Sequence, residues 1–308
     1  MNYKMRDIKF SIVIPAYNAE KFIETALKSV VDQSYKNFEI IIIDNGSIDG
    51  TKNIIDKIIS NNTNISIKLI ILNPNKGISK ARNIGILNST GDYISFLDAD
   101  DVWYKNKLEK VKNVIDDNPE VDVIWHWENH VSSTFRKEVK YKSINNEKPY
   151  EDLLFNNNRL STSATSVRRA SINNIGGFSP KYIAGEEDYD CWLRLAREKS
   201  KFYLIKEALG EFRIYDGSTS SKVLKHNSAV LNMLKEHMEY LEKDRSYSKR
   251  YLTKIFTSKN AQITCSNGRW LSMQNEKSKS LKEYRKCIKL RPFWWKPYAG
   301  IVLLILNK

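Results

Sequence analysis

Residues 90–103 read TGDYISFLDADDVW, and this stretch decides the fold. The apolar run Tyr93–Leu97 is followed at once by the carboxylates of Asp98, Asp100 and Asp101. A short continuous apolar run predicts a buried strand of a parallel sheet, and open α/β sheets bind ligands at the carboxyl ends of their strands. Carboxylates at that edge need compensation, which Mg²⁺ or Mn²⁺ carrying phosphate oxygens would provide. A solvated turn with a helix cap is the alternative for the same residues.

Strand and helix patterns alternate over the first 127 residues. Strands are predicted at 8–14, 38–43, 67–72, 93–97 and 121–127, and helices at 19–34, from 51, at 77–87 and at 105–117. Such alternation predicts an α/β fold with a Rossmann-like, mostly parallel central sheet flanked by helices. After residue 130 the pattern is weaker, with strands predicted at 161–167, 202–205 and 209–215 and a helix at 188–198.

Composition and charge divide the chain into two parts. With 308 residues, 41% hydrophobic and 28% charged, the chain is globular and allows one large or two small domains. Residues 1–221 carry 31 Lys and Arg against 30 Asp and Glu, whereas residues 222–308 carry 19 against 6. We therefore predict one domain over 1–221 and a basic helical extension over 222–308 that faces a polyanion. Three cysteines without metal-ligand spacing predict reduced thiols, and the start shows no signal-peptide pattern, so a cytoplasmic location is expected.

Polar groups also follow the first two predicted strands. The turn Pro15-Ala16-Tyr17-Asn18 could present backbone groups and an aromatic ring to a nucleotide base, or it could be an ordinary loop between strand and helix. Asp44 could accept from a base N–H or a ribose hydroxyl, with helix capping as an equal alternative.

Two further groups lie near predicted helix starts. Lys80 and Arg82 lie where diphosphate charge is favoured, although a solvated basic face is the alternative. Asp188 shares a helix face with Trp192 and Leu195 at i, i+4 and i+7, so it is expected to point along the packed side towards a cleft. A carboxylate at a helix N-terminus is favoured in the charged form that a general base requires.

Three segments together resemble family 2 glycosyltransferases, which are inverting enzymes with a GT-A fold. The segments are FSIVIPAYNAEKFIETALKSVVDQSYKNFEIIIIDNGSIDGT (10–51), NKGISKARNIGILNSTGDYISFLDADD (75–101) and GEEDYDCWLRLA (185–196). Each motif is weak alone, but their order and spacing are highly specific.

The resemblance implies a role for each matching residue. It places the nucleotide-sugar donor at Pro15, Ala16, Tyr17, Asn18, Asp44, Lys80, Arg82, Asp98, Ala99, Asp100 and Arg213. It implies a divalent metal, Mn²⁺ or Mg²⁺, at Asp98 and Asp100, with Asp100 as the direct ligand. It also implies Asp188 as the catalytic base with Glu187 beside it. The chain departs from the family at Tyr215, where many relatives carry a metal- or diphosphate-binding His, and Arg213 or Ser218 is expected to substitute.

This resemblance implies an enzyme of bacterial polysaccharide biosynthesis that transfers a sugar with inversion. The donor is expected to be a nucleotide-diphosphate sugar, UDP-linked, and the acceptor a hydroxyl of a lipid-linked sugar or surface glycan. Many bacterial members of the family extend polyprenyl-diphosphate-linked sugars or lipopolysaccharide core at the inner leaflet of the plasma membrane. The tail from Arg291 to Leu306 combines Trp and Tyr with basic residues, which suits an anionic membrane surface, while a terminal helix packed on the core is the alternative.

Three other protein classes compete with this interpretation, namely a metal-dependent nucleotidyltransferase, a basic nucleic-acid-binding protein and a non-catalytic carbohydrate-binding module, and the intact carboxylates and the PAYN and ARN segments argue against the last. The second lacks a recognisable motif, and the acidic cleft would repel a polyanion, so no nucleic-acid partner is expected. Sugar specificity is expected to lie in residues 125–185 and 212–225. Candidates for sugar contacts are Trp103, Trp125, His126 and Trp127, of which at least two are expected to be core residues instead.

Overall fold

A computed structural model of the protein describes residues 7–215 and 223–306. The chain forms two compact units. The first comprises Met1–Ile183 with Glu187–Asp216, and the second comprises Ala184–Glu186 with Gly217–Lys308. The predicted domain boundary between residues 221 and 222 lies outside the described residues.

The first unit alternates strands and helices. Its strands are β1 (Phe10–Ala16), β2 (Phe38–Asp44), β3 (Ser66–Ile71), β4 (Tyr93–Phe96), β5 (Val102–Trp103), β6 (Val123–Val131), β7 (Arg136–Val139), β8 (Ser166–Arg168) and β9 (Phe202–Arg213). Its helices are α1 (Ile23–Val31), α2 (Thr51–Asn61), α3 (Ile78–Leu87), α4 (Lys107–Asp117), α5 (Pro149–Asn156), α6 (Arg169–Asn174) and α7 (Glu187–Arg197).

The strands form one nine-stranded sheet in the order β3-β2-β1-β4-β8-β6-β9-β5, with β7 paired to β6. Strands β3, β2, β1 and β4 run parallel, as do β6 and β9, while β8 is antiparallel to both of its neighbours. Ala16 lies opposite Asp44, and Val13 lies opposite Phe96. The carboxyl ends of β1, β2 and β4 therefore meet at one edge of the sheet.

A close approach fixes α3 on the sheet. Gly85 lies where a Cβ atom would collide with Val13 and Ile43, so a glycine lets the helix backbone approach β1 and β2. The surrounding core is apolar, and the strand residues of β1 and β2 are buried along their whole length. This packing sets the position of the α3 side chains at the sheet edge.

The structure differs from the predicted bounds of several strands. The strand predicted at 161–167 is confined to Ser166–Arg168, because Thr165 N–H donates to the Thr162 carbonyl and turns the preceding chain. The two strands predicted at 202–205 and 209–215 are one strand, β9, whose pairing with β6 shifts register near Trp127. Helices α5 and α6 and the short strands β5 and β7 were not predicted.

The second unit is helical, as predicted for the basic extension. It contains α8 (Val223–Lys243), α9 (Lys249–Met273), α10 (Lys277–Leu290) and α11 (Trp295–Leu306). A small core joins the last three helices and consists of Ala261, Cys265, Tyr284 and Cys287, with Leu290, Trp294, Ile301 and Leu304 packed against it. All three cysteines of the chain are buried and free.

Helix α11 has two apolar faces. Ile301 and Leu304 pack on the small core of the second unit. The other face is exposed, and its apolar residues, with those just before the helix, are Phe293, Trp295, Tyr298, Val302, Leu303, Ile305 and Leu306. Within residues 7–215 and 223–306, every helix is too short or too polar to cross a membrane.

Candidate active site

The loops after β1 and β2 are tied together by side-chain hydrogen bonds. Asn18 N–H donates to Ser47 Oγ at 3.0 Å, and Ile48 N–H donates to Asn18 Oδ1 at 3.0 Å. Asn18 adopts a left-handed conformation with φ 48°, which asparagine tolerates better than most residues. Asp44 is buried and accepts from Ser47 N–H at 2.9 Å, while the Tyr17 ring is half exposed. The two loops thus form one rigid edge with an aromatic ring facing solvent.

Asn45 joins a third loop to this edge. Its own N–H donates to the carbonyl of Ala16 at 2.7 Å, at the buried end of β1 where Pro15 precedes it. Its side chain accepts from Lys76 N–H at 2.9 Å and donates to Asn75 Oδ1 at 2.9 Å. Sequence reasoning missed this role of Asn45, although an asparagine beside a predicted turn was the available signal.

The carboxylates of the D-x-D loop (Asp98–Asp101) have unequal surroundings. Asp98 is partly exposed, Ala99 is buried, and Asp100 Oδ2 accepts from the Tyr215 hydroxyl at 2.8 Å. Burial and the neighbouring Asp98 raise the pKa of Asp100. Asp101 is completely buried, and burial followed by repulsion from Asp100 raises its pKa well above its usual value. Asp98 and Asp100 therefore face the sheet edge, whereas Asp101 belongs to the framework.

Asp101 anchors the D-x-D loop to two other segments. Its Oδ2 accepts from Ser163 Oγ at 2.5 Å, and its Oδ1 accepts from Arg213 N–H at 2.9 Å. Arg213, expected to contact the donor, thus fixes the loop through its backbone, and its side chain is partly exposed. Ser218, the other residue expected to replace the family histidine, lies outside the described residues.

Arg82 connects the D-x-D loop to the start of α7. Its two terminal nitrogens donate to Asp98 Oδ1 at 2.8 Å and to Glu187 Oε1 at 2.9 Å, and its guanidinium lies 5.2 Å from the centre of the Phe178 ring. Burial opposes the positive charge, but Asp98 and Glu187 outweigh it and raise the pKa of Arg82. The side chain is 2% exposed, in contrast to Lys80 on the same helix, which is exposed.

The acidic residues at the start of α7 have separate partners. Asp188 Oδ2 accepts from Thr162 Oγ1 at 3.3 Å. Asp190 pairs with Arg194 at 2.7 Å, and Arg194 in turn donates to the Ile175 and Gly177 carbonyls. Burial and the negative charge of Glu187 raise the pKa of Asp188 to about 7. A carboxylate with this pKa is suited to accept a proton near neutral pH.

A buried carboxylate that sequence reasoning missed lies on β6. Glu128 accepts from the Tyr141 hydroxyl at 3.0 Å and from Ser161 Oγ at 3.2 Å, and burial raises its pKa to about 7. Nothing in the sequence pattern marks Glu128, because a lone acidic residue within a predicted strand has no distinctive spacing.

The aromatic candidates for sugar contacts divide between core and surface. Trp103, Trp125 and His126 are buried, as the core alternative predicted. Trp127 is partly exposed, and its Nε1 donates to the Tyr141 carbonyl at 3.0 Å.

The D-x-D carboxylates suit a divalent cation only in combination with another oxygen donor. Among the described residues, no three His, Cys, Asp or Glu side chains are grouped to hold a metal. Mg²⁺ is commonly held by one or two carboxylates together with substrate phosphates, and Asp98 and Asp100 match that set. Burial first, and then repulsion from Asp98, raise the pKa of Asp100, and a bound cation would offset both effects. The residues present therefore fit Mg²⁺ or Mn²⁺.

The comparisons with known proteins identify the class of enzyme to which this fold and this group of carboxylates belong. The sequence model described as Glycosyl transferase family 2 matches residues 11–176. The chain belongs to this family and is a glycosyltransferase, so the nucleotidyltransferase and nucleic-acid-binding alternatives are set aside.

Two relatives illustrate the sequence likeness. The amylovoran biosynthesis glycosyltransferase AmsB of Erwinia amylovora is 31% identical over 245 residues, which are 76% of this chain and 80% of AmsB. An uncharacterized glycosyltransferase of Haemophilus influenzae is 33% identical over 216 residues, covering 70% of this chain and 83% of the relative.

Two solved structures illustrate the likeness of fold. TarS of S. aureus, in complex with UDP, superposes with a TM-score of 0.64 at 20% identity and covers 96% of this chain and 89% of that chain. The mannosyltransferase PcManGT of Pyrobaculum calidifontis, in complex with GDP-Man and Mn²⁺, superposes with a TM-score of 0.61 at 16% identity. The match covers 98% of this chain and 87% of that chain. The chain therefore has the GT-A fold that the resemblance implied.

Proposed function

We propose that the protein transfers a sugar, with inversion, from a UDP-linked sugar to a hydroxyl of a lipid-linked or surface-glycan acceptor in bacterial polysaccharide biosynthesis. The observation that carries this proposal is the link through Arg82, which joins Asp98 of the D-x-D loop to Glu187, the neighbour of Asp188. One buried guanidinium thus holds a donor-binding carboxylate and the start of the helix that bears the candidate base. The UDP complex of TarS and the amylovoran role in the name of AmsB support the choice of donor and pathway class.

The donor is assigned to the edge formed by the loops after β1, β2 and β4. The half-exposed Tyr17 ring offers a stacking surface for the base, and Asp44 offers a carboxylate at the end of β2. Stacking on an aromatic face is typically worth about 1–3 kcal/mol per base. The diphosphate is assigned to the D-x-D loop, where Lys80 on the exposed face of α3 adds positive charge.

Asp98 and Asp100 would hold Mn²⁺ or Mg²⁺ together with the donor phosphates. When bound, such an ion neutralises charge on the leaving diphosphate as a Lewis acid. The Tyr215 hydroxyl orients Asp100 through its 2.8 Å hydrogen bond. We expect EDTA to abolish transfer and added Mn²⁺ or Mg²⁺ to restore it, and full activity in EDTA would contradict the metal assignment.

Asp188 is proposed to take the proton of the acceptor hydroxyl as that hydroxyl attacks the anomeric carbon. Its pKa of about 7 lets it remain partly ionised at neutral pH and still accept a proton readily. Glu187 is assigned a positioning role, because its Oε1 is held by Arg82. A single base on the face opposite the leaving group implies inversion at the anomeric carbon, by the stereochemical logic that separates glycosidase classes.

A donor screen with the purified full chain tests this function. UDP-glucose, UDP-galactose, UDP-GlcNAc, UDP-GalNAc and dTDP-rhamnose are offered with polyprenyl-diphosphate-linked sugar acceptors, and release of nucleotide diphosphate and product anomeric configuration are measured. We expect transfer from at least one UDP-sugar, with the product anomer opposite to that of the donor. Retention of configuration would contradict the single-base mechanism, and transfer from dTDP-rhamnose alone would contradict a UDP-linked donor.

We further propose that the second unit binds the anionic inner face of the bacterial plasma membrane, which would place the enzyme as a peripheral cytoplasmic protein. Two features support this: the exposed apolar face of α11 and the excess of basic residues over 222–308, 19 against 6 acidic. Anionic lipid attracts each nearby Lys or Arg by about 1 kcal/mol, and Trp and Tyr suit the interface.

Vesicle sedimentation tests the membrane proposal. We expect binding to phosphatidylglycerol-containing vesicles, release by about 0.5 M salt because of screening, and weaker binding after Trp295→Ser and Leu303→Ser. The control is Leu87→Ser, which removes an exposed apolar side chain from α3 of the first unit. Equal binding to neutral vesicles, or equal loss with the control variant, would contradict the proposal.

A further inference from the structure

The segment Ser161–Ser163, just before β8, places three consecutive hydroxyls against three different carboxylates. The three contacts are Ser161 Oγ to Glu128 Oε1 at 3.2 Å, Thr162 Oγ1 to Asp188 Oδ2 at 3.3 Å, and Ser163 Oγ to Asp101 Oδ2 at 2.5 Å. The segment therefore contacts the D-x-D loop, the start of α7 and the buried carboxylate on β6 at the same time.

The backbone of this segment is held in place independently of the carboxylates. The Trp103 Nε1 donates to the Ser163 carbonyl at 2.7 Å, and Thr165 N–H donates to the Thr162 carbonyl at 3.0 Å. Thr162 and Ser163 are 5% and 2% exposed. A buried hydroxyl needs a hydrogen-bond partner, and here each one meets a carboxylate of the site. The hydroxyls are thus presented by a fixed frame.

Ser163 stabilises the geometry of the D-x-D loop. Besides donating to Asp101, its Oγ accepts from Asp98 N–H at 3.1 Å. Removing this hydroxyl would leave the backbone of Asp98 and one oxygen of Asp101 without their partner, while the Arg213 N–H contact to the other oxygen would remain. We therefore expect Ser163 to influence how firmly the loop holds the donor.

Thr162 acts on the candidate base. Asp188 Oδ1 accepts from Tyr189 N–H and Oδ2 accepts from Thr162, so the two contacts together fix the rotation of the carboxylate. The charged groups that act on Asp188 are Glu187, Arg82 and Asp98, and Thr162 adds a neutral donor that favours the ionised form. Hydrogen bonds of this kind are often long in a ligand-free site and shorten when substrate binds.

We propose that Ser161–Ser163 is a positioning element for both halves of the site, in which Ser163 orients the loop that holds the donor and Thr162 orients the base. The proposal rests on the proposed function, because it assigns donor binding to the D-x-D loop and proton transfer to Asp188. Its distinctive consequence is that two adjacent hydroxyls affect different steps: Ser163 affects donor affinity, and Thr162 affects turnover.

Four variants of the full chain test this separation. With Ser163→Ala we expect the Kd of UDP with Mn²⁺, measured by calorimetry, to rise about tenfold, with kcat within about twofold of wild type. With Thr162→Val we expect the Kd to stay within about twofold, kcat to fall about tenfold, and the acid limb of the pH–rate profile to move up by about one pH unit. Thr162→Ser keeps the hydroxyl and should restore both values.

The matched control is Ser166→Ala, the fourth variant. Ser166 Oγ bonds Ser95 Oγ at 2.7 Å, so this change removes a buried hydroxyl from the same part of the sheet without touching a carboxylate. If Thr162→Val and Ser163→Ala change Kd and kcat in the same proportion, or change them no more than Ser166→Ala does, the positioning role is refuted. Calorimetry measures UDP binding without turnover. A wild-type protein that binds UDP but transfers no sugar would refute the proposed function. The Kd of Ser163→Ala would still test whether Ser163 positions the loop that holds the donor.

Discussion

Replacing Arg82 with Met tests whether the buried ion-pair bridge stabilises the first unit. The Arg82 side chain is 2% exposed, the Glu187 side chain is 6% exposed and the Asp98 side chain is 27% exposed. Methionine retains much of the aliphatic volume but removes the charge, so Glu187 is left buried and uncompensated. Its second oxygen, Oε2, has no hydrogen-bond partner among the described residues, so little else offsets its charge.

The expected loss is large because one partner of a buried pair is removed. Such changes cost about 3–5 kcal/mol, and we expect the free energy of unfolding of the first unit to fall by that amount. Asp98 contributes less to the loss, since water reaches it. The double variant Arg82→Met/Glu187→Gln replaces the stranded carboxylate with a neutral amide, and it should recover about 1–2 kcal/mol relative to the single variant.

Urea unfolding followed by tryptophan fluorescence measures this effect, since Trp103, Trp125 and Trp192 are buried in the first unit. The control is Arg136→Met, whose ion pair with Glu211 has a 55% exposed arginine and should be worth less than about 1 kcal/mol. A loss of stability for Arg82→Met no greater than that of the control would show that the bridge does not stabilise the first unit. So would a double variant less stable than the single one.

Two other outcomes follow from the same contacts. The pKa of Asp188 is raised to about 7, and its ionised form is the active one. We therefore expect kcat/KM for transfer to fall by about tenfold per pH unit below pH 7. A pH–rate profile that is flat down to pH 5 would contradict the base assignment. Tyr215→Phe removes the hydroxyl that orients Asp100. We expect the Kd of UDP with Mn²⁺, measured by calorimetry, to rise by about tenfold or more. An unchanged Kd would show that this hydrogen bond does not contribute to donor binding.

The parallel part of the sheet could be predicted from sequence because its strands are continuous apolar runs separated by helices with a clear period. β1, β2 and β4 are buried along their whole length, as such runs predict. The second half was harder, because the buried and exposed residues of β9 follow no strict period and its pairing with β6 shifts register. Pairing of this kind depends on long-range contacts that no local pattern encodes.

In the candidate site, too, some residues could be predicted from the sequence and others could not. Asp44, Asp98 and Asp188 could be singled out, because each directly follows a predicted strand or begins a predicted helix. The sequence could not distinguish Asp101 from Asp100, since only the fold buries one and leaves the other beside Tyr215. The Ser161–Ser163 segment falls within a predicted strand, and its role has no sequence signal, because small hydroxyl residues are not distinctive until the fold places carboxylates around them.

Asp188 is proposed to accept the proton of the acceptor hydroxyl while other residues hold the donor. Asp188→Asn tests it directly, because the amide keeps the shape and the contact to Thr162 but cannot act as a base at neutral pH. We predict that the Kd of UDP with Mn²⁺ stays within about twofold and that sugar transfer falls by about 10²–10⁴-fold. Transfer near the wild-type rate would contradict the role of Asp188 as the base, as would loss of donor binding in parallel with loss of transfer.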